Sequence, residues 1–396
     1  MTEANLTTKL NRPYLPPIGN DTEITGRITI EPGMQTTTAE RQIAIVVDTS
    51  GSMSGDRMKT ARDGAKRALG YLEDNDILTI IGFNSQASVV LEATRYGDIT
   101  RDQIMSAIDD LTAGGGTDIH GGLKLATDEL RNISSSNNTA RRILLLSDGK
   151  DNVREAEDFE RQARDIDEHG IRIRAGGIGD GYDEETIRTL GITARGQWSH
   201  IEEPTEIEEF FGQAVEEAST VVGANAELRM DIAEGVEFSK VYRSLPQIQE
   251  IEAEYSASNV AVVKLPDLLE RDTQKVLMKI RVPGQTTEEK VTLADITLNA
   301  GSKTATGKLE VEFTDDGDLL STDNKEVSIE LDETRVGLEL GRGNVEKAET
   351  RVEKMENKHG DSVDSDKLND SVTVVKEGGR AEQENATKIK FDDDPV

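Results

Sequence analysis

The sequence predicts an α/β domain with a doubly wound, mainly parallel sheet, joined to an antiparallel β-sandwich and followed by a C-terminal helical segment. Between residues 40 and 221, short apolar runs alternate with helical patterns. Such runs are typical of strands that helices bury on both faces of a parallel sheet. From residue 222 onward, strand-like segments follow one another without a long helix between them, which is typical of a sandwich.

Apolar runs mark the main strands of the α/β domain, at residues 42–48, 76–84, 141–148 and 171–179. Helical patterns between and after these runs cover residues 58–72, 100–111, 119–132, 155–169 and 205–220. In the first of these helical patterns the apolar side chains recur every three or four positions and fall on one face. The segment "SVVLE" at 88–92 predicts one antiparallel strand at the edge of the sheet.

Changes in pattern divide the chain into five segments. The first, 1–39, holds an irregular leader and then an alternating strand at 22–33, which we expect to pair with the sandwich. The α/β domain, 40–221, is expected to be inserted in the sandwich or followed by it. The remaining segments are the sandwich at 222–320, a helical segment at 321–360 and an acidic, weakly ordered tail at 361–396.

The composition limits the classes of function. A chain of 396 residues is long enough for two or three domains. It has no cysteine, which excludes a disulfide framework, a thiol nucleophile and a thiolate metal site. With 46 basic and 77 acidic residues its net charge is −31, so nucleic acid and anionic membranes are poor partners. Acid spread along the chain indicates halophilic adaptation to a salty cytoplasm, with an acidic cation-binding surface as the alternative.

Oxygen-bearing side chains follow the strands of the predicted parallel sheet. Asp48, Ser50 and Ser52 come directly after the first strand in "VVDTSGSMSG". Thr117 lies in the glycine-rich loop "GGGTDIHGG", and Asp148 follows the strand that ends in "LLLSDG". Because ligands of doubly wound sheets bind outside the carboxyl ends of the strands, we expect these three loops to meet. Carboxylate and hydroxyl oxygens are hard ligands that suit Mg²⁺.

Simpler explanations exist for several residues in these loops. An aspartate followed by serines at a strand end is also typical of a cap on the next helix or turn, although capping does not require three loops to converge. Asp118 is expected to stabilise the start of a helix through its charge rather than to bind a metal. His120 and Lys150 are expected to be solvated side chains.

The segment "DTSGS", together with Thr117 and Asp148, resembles the metal-ion-dependent adhesion site (MIDAS) of von Willebrand factor type A domains. The segments "FNS" at 83–85, "LTAGGGTDIHGGL" at 111–123 and "GIRIRAGGIG" at 170–179 extend the resemblance. It implies a Rossmann-like domain with an intact site, of the prokaryotic, haloarchaeal type. The strand-rich flanks are loosely similar to inter-alpha-trypsin-inhibitor heavy chains and calcium-activated chloride channel regulators.

The resemblance implies a role for each site residue. Ser50 and Ser52 would coordinate the metal directly, and Thr117 would do so when a ligand is engaged. Asp48 and Asp148 would act largely through bound water and hold the serines. Mg²⁺ is the expected metal, with Mn²⁺ and Ca²⁺ as alternatives. A metal ringed by neutral hydroxyls and water stays electrophilic, so such a site is suited to capture an acidic side chain of another protein.

These features favour a metal-dependent protein-binding module that is not an enzyme. The alternatives are a Mg²⁺-dependent hydrolase or phosphotransferase, and a structural protein whose metal site is filled from within its own chain. Neither glycine-rich loop contains the G-x-x-x-x-G-K-[ST] pattern of a P-loop, and no evident general base accompanies the site.

The expected partner is a protein that offers an acidic side chain, and the resemblance points to MoxR-type AAA+ ATPases as a partner system. No basic N-terminal start is followed by an apolar run. No segment approaches the roughly 18 apolar residues of a membrane span. We therefore expect a cytoplasmic protein without a membrane span.

Overall fold

The computed structural model describes residues 4–33, 39–151, 154–256, 259–363, 365–378 and 385–387. The chain divides into two compact units. The first, here called the α/β unit, is Gln35–Asn225. The second, the β-rich unit, joins Met1–Met34 to Ala226–Val396. The strands that precede the α/β unit are β1 (Asn5–Leu10), β2 (Tyr14–Leu15) and β3 (Thr22–Glu31).

The α/β unit is a sheet with helices between its strands. Its main strands are β4 (Glu40–Asp48), β5 (Ile77–Phe83), β6 (Ala87–Arg95), β7 (Thr139–Ser147), β8 (Ile171–Ile178) and β9 (Gln197–Ile201). Its helices are α1 (Asp56–Ala68), α2 (Arg101–Asp109), α3 (Ile119–Arg131), α4 (Ala156–Glu168), α5 (Glu184–Thr193) and α6 (Ile207–Ser219). A short strand, β10 (Val221–Gly223), lies near its end.

Within the described residues the strand order of this sheet is β6-β5-β4-β7-β8-β9. The pairs β4–β5, β4–β7, β7–β8 and β8–β9 are parallel, and β6 runs antiparallel to β5 at the edge. β4 and β7 therefore lie side by side where the order of strands along the chain reverses. In doubly wound sheets, ligands bind at this reversal point, outside the carboxyl ends of the strands.

β4 is buried on both faces, as its continuous apolar run predicts. Ile43, Ile45 and Val47 pack with residues of α1, α2 and α6 on one side of the sheet. Ala44 and Val46 pack with residues of α3, α4 and α5 on the other side. Helices thus cover both faces, and the predicted fold class is confirmed.

One helix of this unit, α5, is absent from the sequence-based prediction. It has only 10 residues and contains Gly191, which weakens both its apolar period and its helix propensity. A start signal is nevertheless present in the sequence. The Asp183 carboxylate accepts hydrogen bonds from the backbone N–H groups of Glu185 and Thr186, as an N-terminal cap does.

The β-rich unit contains two sheets. Its further strands are β11 (Glu227–Ile232), β12 (Glu237–Leu245), β13 (Gln249–Ile251), β14 (Glu254–Ser256), β15 (Val260–Lys264), β16 (Leu268–Leu269), β17 (Gln274–Val282), β18 (Glu289–Ala300) and β19 (Lys303–Phe313). Among described residues, the strand orders are β1-β3-β17-β12-β13 and β14-β15-β11-β18-β19-β2. The pairs are antiparallel apart from the short β19–β2 pair. Leu6 of the first sheet packs onto Gly307 of the second, as in a sandwich.

β3 pairs along its length with β17, although the whole α/β unit lies between these strands in the chain. The antiparallel register begins with Thr22 opposite Val282 and continues to Ile30 opposite Gln274. On its other side, β3 pairs with β1. Ile24, Ile28 and Ile30 of β3 are all buried, so the alternating apolar pattern of this strand faces the core of the β-rich unit.

β1 corrects the expectation that residues 1–20 form an irregular leader. Residues 5–10 are a strand, in which Leu6 and Leu10 are buried. The prolines that suggest irregular structure begin only at Pro13, after this strand has ended. With only two apolar side chains, its own pattern is too short to predict a strand, and pairing with β3 supplies the hydrogen bonds.

The helices that follow the sheets are α7 (Gly317–Leu320), α8 (Lys325–Gly341), α9 (Val345–His359) and α10 (Ser365–Gly378). α8 packs Val327 and Leu331 against Tyr242 and Leu277 of the sheet. The buried Glu330 carboxylate of α8 accepts hydrogen bonds of 2.9 Å from Arg27 Nη1 and 2.9 Å from Ser244 Oγ. None of the helices in the described ranges is long and apolar enough to cross a membrane.

α10 differs from the weakly ordered tail that composition predicts for 361–396. Leu368, Val372 and Val375 are buried in a cluster with α8 and α9. Within the same segment, Thr387 accepts a backbone hydrogen bond of 2.8 Å from Ile248 N. The low hydrophobicity of the segment hides this stripe because only a few apolar residues are needed to cover one helix face. The rest of the predicted tail lies outside the described residues.

Candidate functional site

Asp48 is the last residue of β4, and its side chain is fully buried. Its carboxylate accepts a hydrogen bond of 2.7 Å from the backbone N–H of Ser50 on Oδ1. On Oδ2 it accepts a hydrogen bond of 2.6 Å from the hydroxyl of Ser147, the last residue of β7. The two central strands of the sheet are therefore joined at their carboxyl ends by a buried carboxylate.

A chain of hydroxyl groups leads from this carboxylate to a second one. The hydroxyl oxygens of Ser50 and Ser52 lie 3.0 Å apart. Ser52 donates a hydrogen bond of 2.7 Å from Oγ to Oδ1 of Asp148, which follows β7. Ser50 and Asp148 are buried, whereas Ser52 is exposed. The first loop therefore connects both carboxylates and reaches solvent at Ser52.

Backbone hydrogen bonds fix the glycine-rich loop that carries Thr117 to the loop that follows β4. Gly51 N donates to Gly115 O over 3.1 Å, and Gly114 N donates to Thr49 O over 2.8 Å. Gly115 has a φ of +87°, which is strained for any residue with a side chain, so glycine is needed at this turn. These contacts hold the glycine-rich loop against the loop that follows β4.

Thr117, at the end of the glycine-rich loop, is buried. A methyl group built on Gly149 would lie 3.1 Å from the Thr117 hydroxyl oxygen and 3.8 Å from Oδ2 of Asp48. The structure thus brings Asp48, Ser50, Ser52, Thr117 and Asp148 together from three loops. Gly149 leaves the space between them open.

The charges of the two carboxylates are balanced differently. Burial raises the pKa of Asp48 and the charge of Asp148 adds to this, against the opposing hydrogen bonds from Ser147 and Ser50. In the described part of the chain, no Lys, Arg or His forms an ion pair with Asp48. Asp148 does have a cation, because Nη1 of Arg57 in the first turn of α1 donates to its Oδ2.

Two residues of this centre, Ser147 and Arg57, are absent from the sequence-based prediction. Ser147 stands beside Asp148 in "LLLSDG", and the signal that could have identified it is a hydroxyl at the end of a buried strand next to the strand of Asp48. Arg57 lies in the helix that follows "DTSGSMSG". Its contact with Asp148 joins residues 91 positions apart, so only the folded arrangement reveals it.

The donor set of the centre consists of hard oxygen atoms: two carboxylates and three hydroxyls. Among the described residues, no group of three or more His, Cys, Asp and Glu side chains is placed to hold a metal. The convergence of Asp48 and Asp148 with neutral hydroxyls therefore fits a cation such as Mg²⁺ or Ca²⁺, which prefers oxygen, better than a soft metal.

Asp118, beside Thr117, has the structural role that the sequence predicts. Its carboxylate accepts a hydrogen bond of 2.9 Å from Gly121 N and caps α3. Asp151 supports the same helix end by accepting a hydrogen bond of 2.8 Å from Ile119 N. Both carboxylates stabilise the N-terminus of α3, where backbone N–H groups lack partners within the helix.

Comparison with known proteins agrees with this architecture. Residues 42–213 match the family model of the von Willebrand factor type A domain. An uncharacterised protein of Synechocystis sp. is 27% identical over 239 residues, which are 60% of this chain and 56% of that protein. The mouse voltage-dependent calcium channel subunit alpha-2/delta-2 is 25% identical over 174 residues, 42% of this chain and 15% of that protein. The chain thus spans little more than half of one relative and a small part of the other.

Two solved structures share the fold over nearly the whole chain. A von Willebrand factor type A protein from Catenulispora acidiphila has a TM-score of 0.76 at 17% identity, covering 95% of this chain and 90% of that chain. The ArnB paralog VWA2 from Sulfolobus acidocaldarius has a TM-score of 0.67 at 17% identity, covering 98% and 97%. The doubly wound sheet agrees with the von Willebrand factor type A family model that residues 42–213 match, and the two solved structures share the fold of the chain.

Proposed function

We propose that this chain is a divalent-metal-dependent protein-binding module, in which Asp48, Ser50, Ser52, Thr117 and Asp148 hold one metal ion at a MIDAS. Mg²⁺ is the first candidate, and Mn²⁺ and Ca²⁺ are alternatives. The bound metal accepts an acidic side chain of a partner protein as a further ligand. The chain itself carries out no catalytic step in this proposal.

The observation that carries the proposal is the environment of Asp48. Its carboxylate is fully buried, and its hydrogen bonds come from a hydroxyl and a backbone N–H instead of a cation. A buried charge is costly unless an opposite charge or a metal compensates it. A divalent cation held between Asp48 and Asp148 supplies the missing positive charge. This also gives a reason for the convergence of three further hydroxyl groups there.

The hydroxyl groups favour ligand capture over catalysis. The Ser50 and Ser52 hydroxyls lie between the two carboxylates, so the serines are the groups best placed to coordinate the metal directly. Asp48 and Asp148 hold the loops and the serines through hydrogen bonds. A metal with neutral ligands keeps a strong attraction for an anionic oxygen atom from outside.

Isothermal titration calorimetry of MgCl₂ into the full chain in molar KCl tests the metal site. The wild type is expected to bind one Mg²⁺, and Asp48→Asn is expected to lose this binding. Ser54→Ala is the matched control, because the Ser54 hydroxyl is exposed and donates to the backbone oxygen of Gly51 at 2.7 Å instead of to a carboxylate. Unchanged Mg²⁺ affinity in Asp48→Asn would overturn the proposed site.

Partner capture is tested by pulldown at fixed Mg²⁺ and high KCl, with EDTA as the comparison. A MoxR-type AAA+ ATPase from the same cell is the first partner to offer, since the family resemblance implies this system. Binding that EDTA abolishes supports the proposal. Binding that survives EDTA, or nucleotide hydrolysis by the purified chain, would favour one of the alternative functions.

A further inference from the structure

Arg57 connects α1 to the candidate metal site. Its Nη1 group donates to Oδ2 of Asp148, whose side chain is fully buried, while the Arg57 side chain is 37% exposed. A methyl group built on Gly179, just after β8, would lie 3.2 Å from Nη2 of Arg57. The guanidinium group therefore lies at the rim of the site, between α1 and the end of β8.

Both carboxylate oxygens of Asp148 are engaged by donors from the first loop and α1. Ser52 donates to Oδ1 and Arg57 donates to Oδ2. Since a guanidinium group carries a positive charge, it compensates part of the negative charge of Asp148. A metal ion must therefore bind beside a fixed positive charge, which lowers its affinity.

The same charge has the opposite effect on an acidic ligand. Asp48 and Asp148 contribute two negative charges, a divalent metal two positive charges and Arg57 one more, so the loaded site has a net charge of +1. Among the described residues, Asp148 is the hydrogen-bond acceptor found for Arg57. A guanidinium has five N–H donors in all, so others are available to a ligand at the rim.

We propose that Arg57 determines the specificity of the site, because it weakens metal binding and strengthens the binding of an acidic ligand to the metal-loaded protein. This inference rests on the proposed function. It also addresses a difficulty that the net charge of −31 creates, since most of the surface repels an acidic partner. A local positive charge beside the metal would allow such a partner to bind at this place.

The test compares the wild type with Arg57→Gln, Arg57→Lys and Lys59→Gln in the full chain at one fixed KCl concentration. Lys59 is the matched control because it is an exposed cation on the same helix. MgCl₂ is titrated first by calorimetry. A peptide acetyl-Gly-Glu-Gly-amide is then titrated into the Mg²⁺-saturated protein and followed by NMR, with acetyl-Gly-Gln-Gly-amide as the uncharged comparison.

Arg57→Gln is expected to bind Mg²⁺ about five- to tenfold more tightly and the glutamate peptide about fivefold more weakly, a tenfold change being about 1.4 kcal/mol. Arg57→Lys keeps the charge and is expected to stay close to the wild type in both titrations. Lys59→Gln is expected to change neither affinity by more than about twofold, because salt screens the charge of an exposed side chain.

Opposite changes in the two affinities are the signature that a merely structural role would not produce. If Arg57→Gln binds Mg²⁺ as the wild type does, or if both affinities fall together, the inference is wrong while the metal site stands. If the wild type and all variants bind no Mg²⁺, the proposed function fails, and the inference fails with it. If Arg57→Gln does not fold, the uncharged variant Arg57→Met replaces it with the same expected opposite changes, and two affinities that fall together or stay unchanged overturn the inference.

Discussion

Ser147 donates a 2.6 Å hydrogen bond to the buried carboxylate of Asp48, across the two central parallel strands of the sheet. This contact ties the end of β7 to the end of β4 at the candidate metal site. The same hydroxyl accepts a hydrogen bond of 3.3 Å from Gly149 N, so it also orders the loop that carries Asp148.

Ser147→Ala is expected to destabilise the metal-free protein by about 1.5–3 kcal/mol, the usual cost of losing a hydrogen bond to a charged group. It should also weaken Mg²⁺ binding, because Asp48 loses the contact that orients it. Urea unfolding and calorimetric titration measure the two effects, with Ser54→Ala as the control. Equal stability of Ser147→Ala and wild type would show that the hydroxyl does not support Asp48.

Asp48→Asn is expected to make the metal-free protein more stable at neutral pH, because burial raises the pKa of Asp48. The ionised form is thus disfavoured in the fold. The native state binds more protons than the unfolded state between the unfolded pKa, about 3.9, and the raised folded pKa, so wild-type stability falls as pH rises through this window.

In Asp48→Asn no ionised carboxylate is buried, and the asparagine amide can keep the contacts with Ser50 N and the Ser147 hydroxyl. The stability advantage of Asp48→Asn should therefore be small near pH 4 and larger at pH 8, in EDTA. Urea unfolding at these two pH values measures it. An advantage that does not depend on pH would mean that Asp48 titrates normally.

Thr117→Ala should separate metal binding from partner binding. Thr117 is expected to coordinate the metal only when a ligand is engaged, so its loss should leave Mg²⁺ affinity within about twofold and weaken partner capture by about tenfold or more, about 1.4 kcal/mol. Ser50→Ala should lose Mg²⁺ binding as Asp48→Asn does. Calorimetry and pulldown of the same variants give both values. Loss of Mg²⁺ binding in Thr117→Ala would assign this residue to the resting site instead.

Asp332→Asn is expected to destabilise the C-terminal helices by about 1–2 kcal/mol, after discounting for partial exposure. Burial raises the pKa of Asp332, but hydrogen bonds from Lys358 (2.7 Å) and His359 (3.1 Å) outweigh this and lower it. The stabilisation by the Asp332 carboxylate is complete above the pKa of this group in the unfolded chain. It is lost as pH falls through the lowered pKa of the folded protein. Urea unfolding at pH 7, with the exposed Glu353→Gln as the control, measures the effect; equal losses in both variants would contradict it.

Salt should stabilise the whole chain. A net charge of −31 repels itself most at low ionic strength, where the screening length is about 30 Å at 0.01 M against about 3 Å at 1 M. We expect marginal folding in dilute buffer and recovery in molar KCl, followed by far-UV circular dichroism and thermal melting. Equal melting temperatures at both concentrations would contradict a halophilic adaptation.

The sequence was sufficient to predict the α/β class because strands such as β4 are apolar on both faces, and this leaves a continuous signal. The sequence also predicts that Asp48, Thr117 and Asp148 lie at one edge of the sheet, since the carboxyl ends of parallel strands meet there. These are consequences of local pattern and of connectivity, which a single sequence contains.

The remaining features depend on tertiary contacts that no local pattern records. The role of Ser147 depends on which strand lies beside β7, and that of Arg57 on a side chain reaching Asp148 in another loop. β1 and α10 have few apolar residues of their own, so their structure depends on surfaces that distant segments provide. The structure of such segments cannot be predicted from their own residues, because the distant segment that each one contacts determines whether it forms a strand or a helix.

The pairing of β3 with β17 has a consequence for how the protein is made. During synthesis, Thr22–Glu31 leaves the ribosome long before Gln274–Val282 exists, and the entire α/β unit is completed in the interval. One edge of β3 must therefore stay unpaired until β17 has been synthesised. The sheet of the α/β unit forms during this interval. A nascent chain stalled after residue 225 should hold a finished α/β unit and an N-terminal hairpin with an open edge, which is where chaperones would be needed.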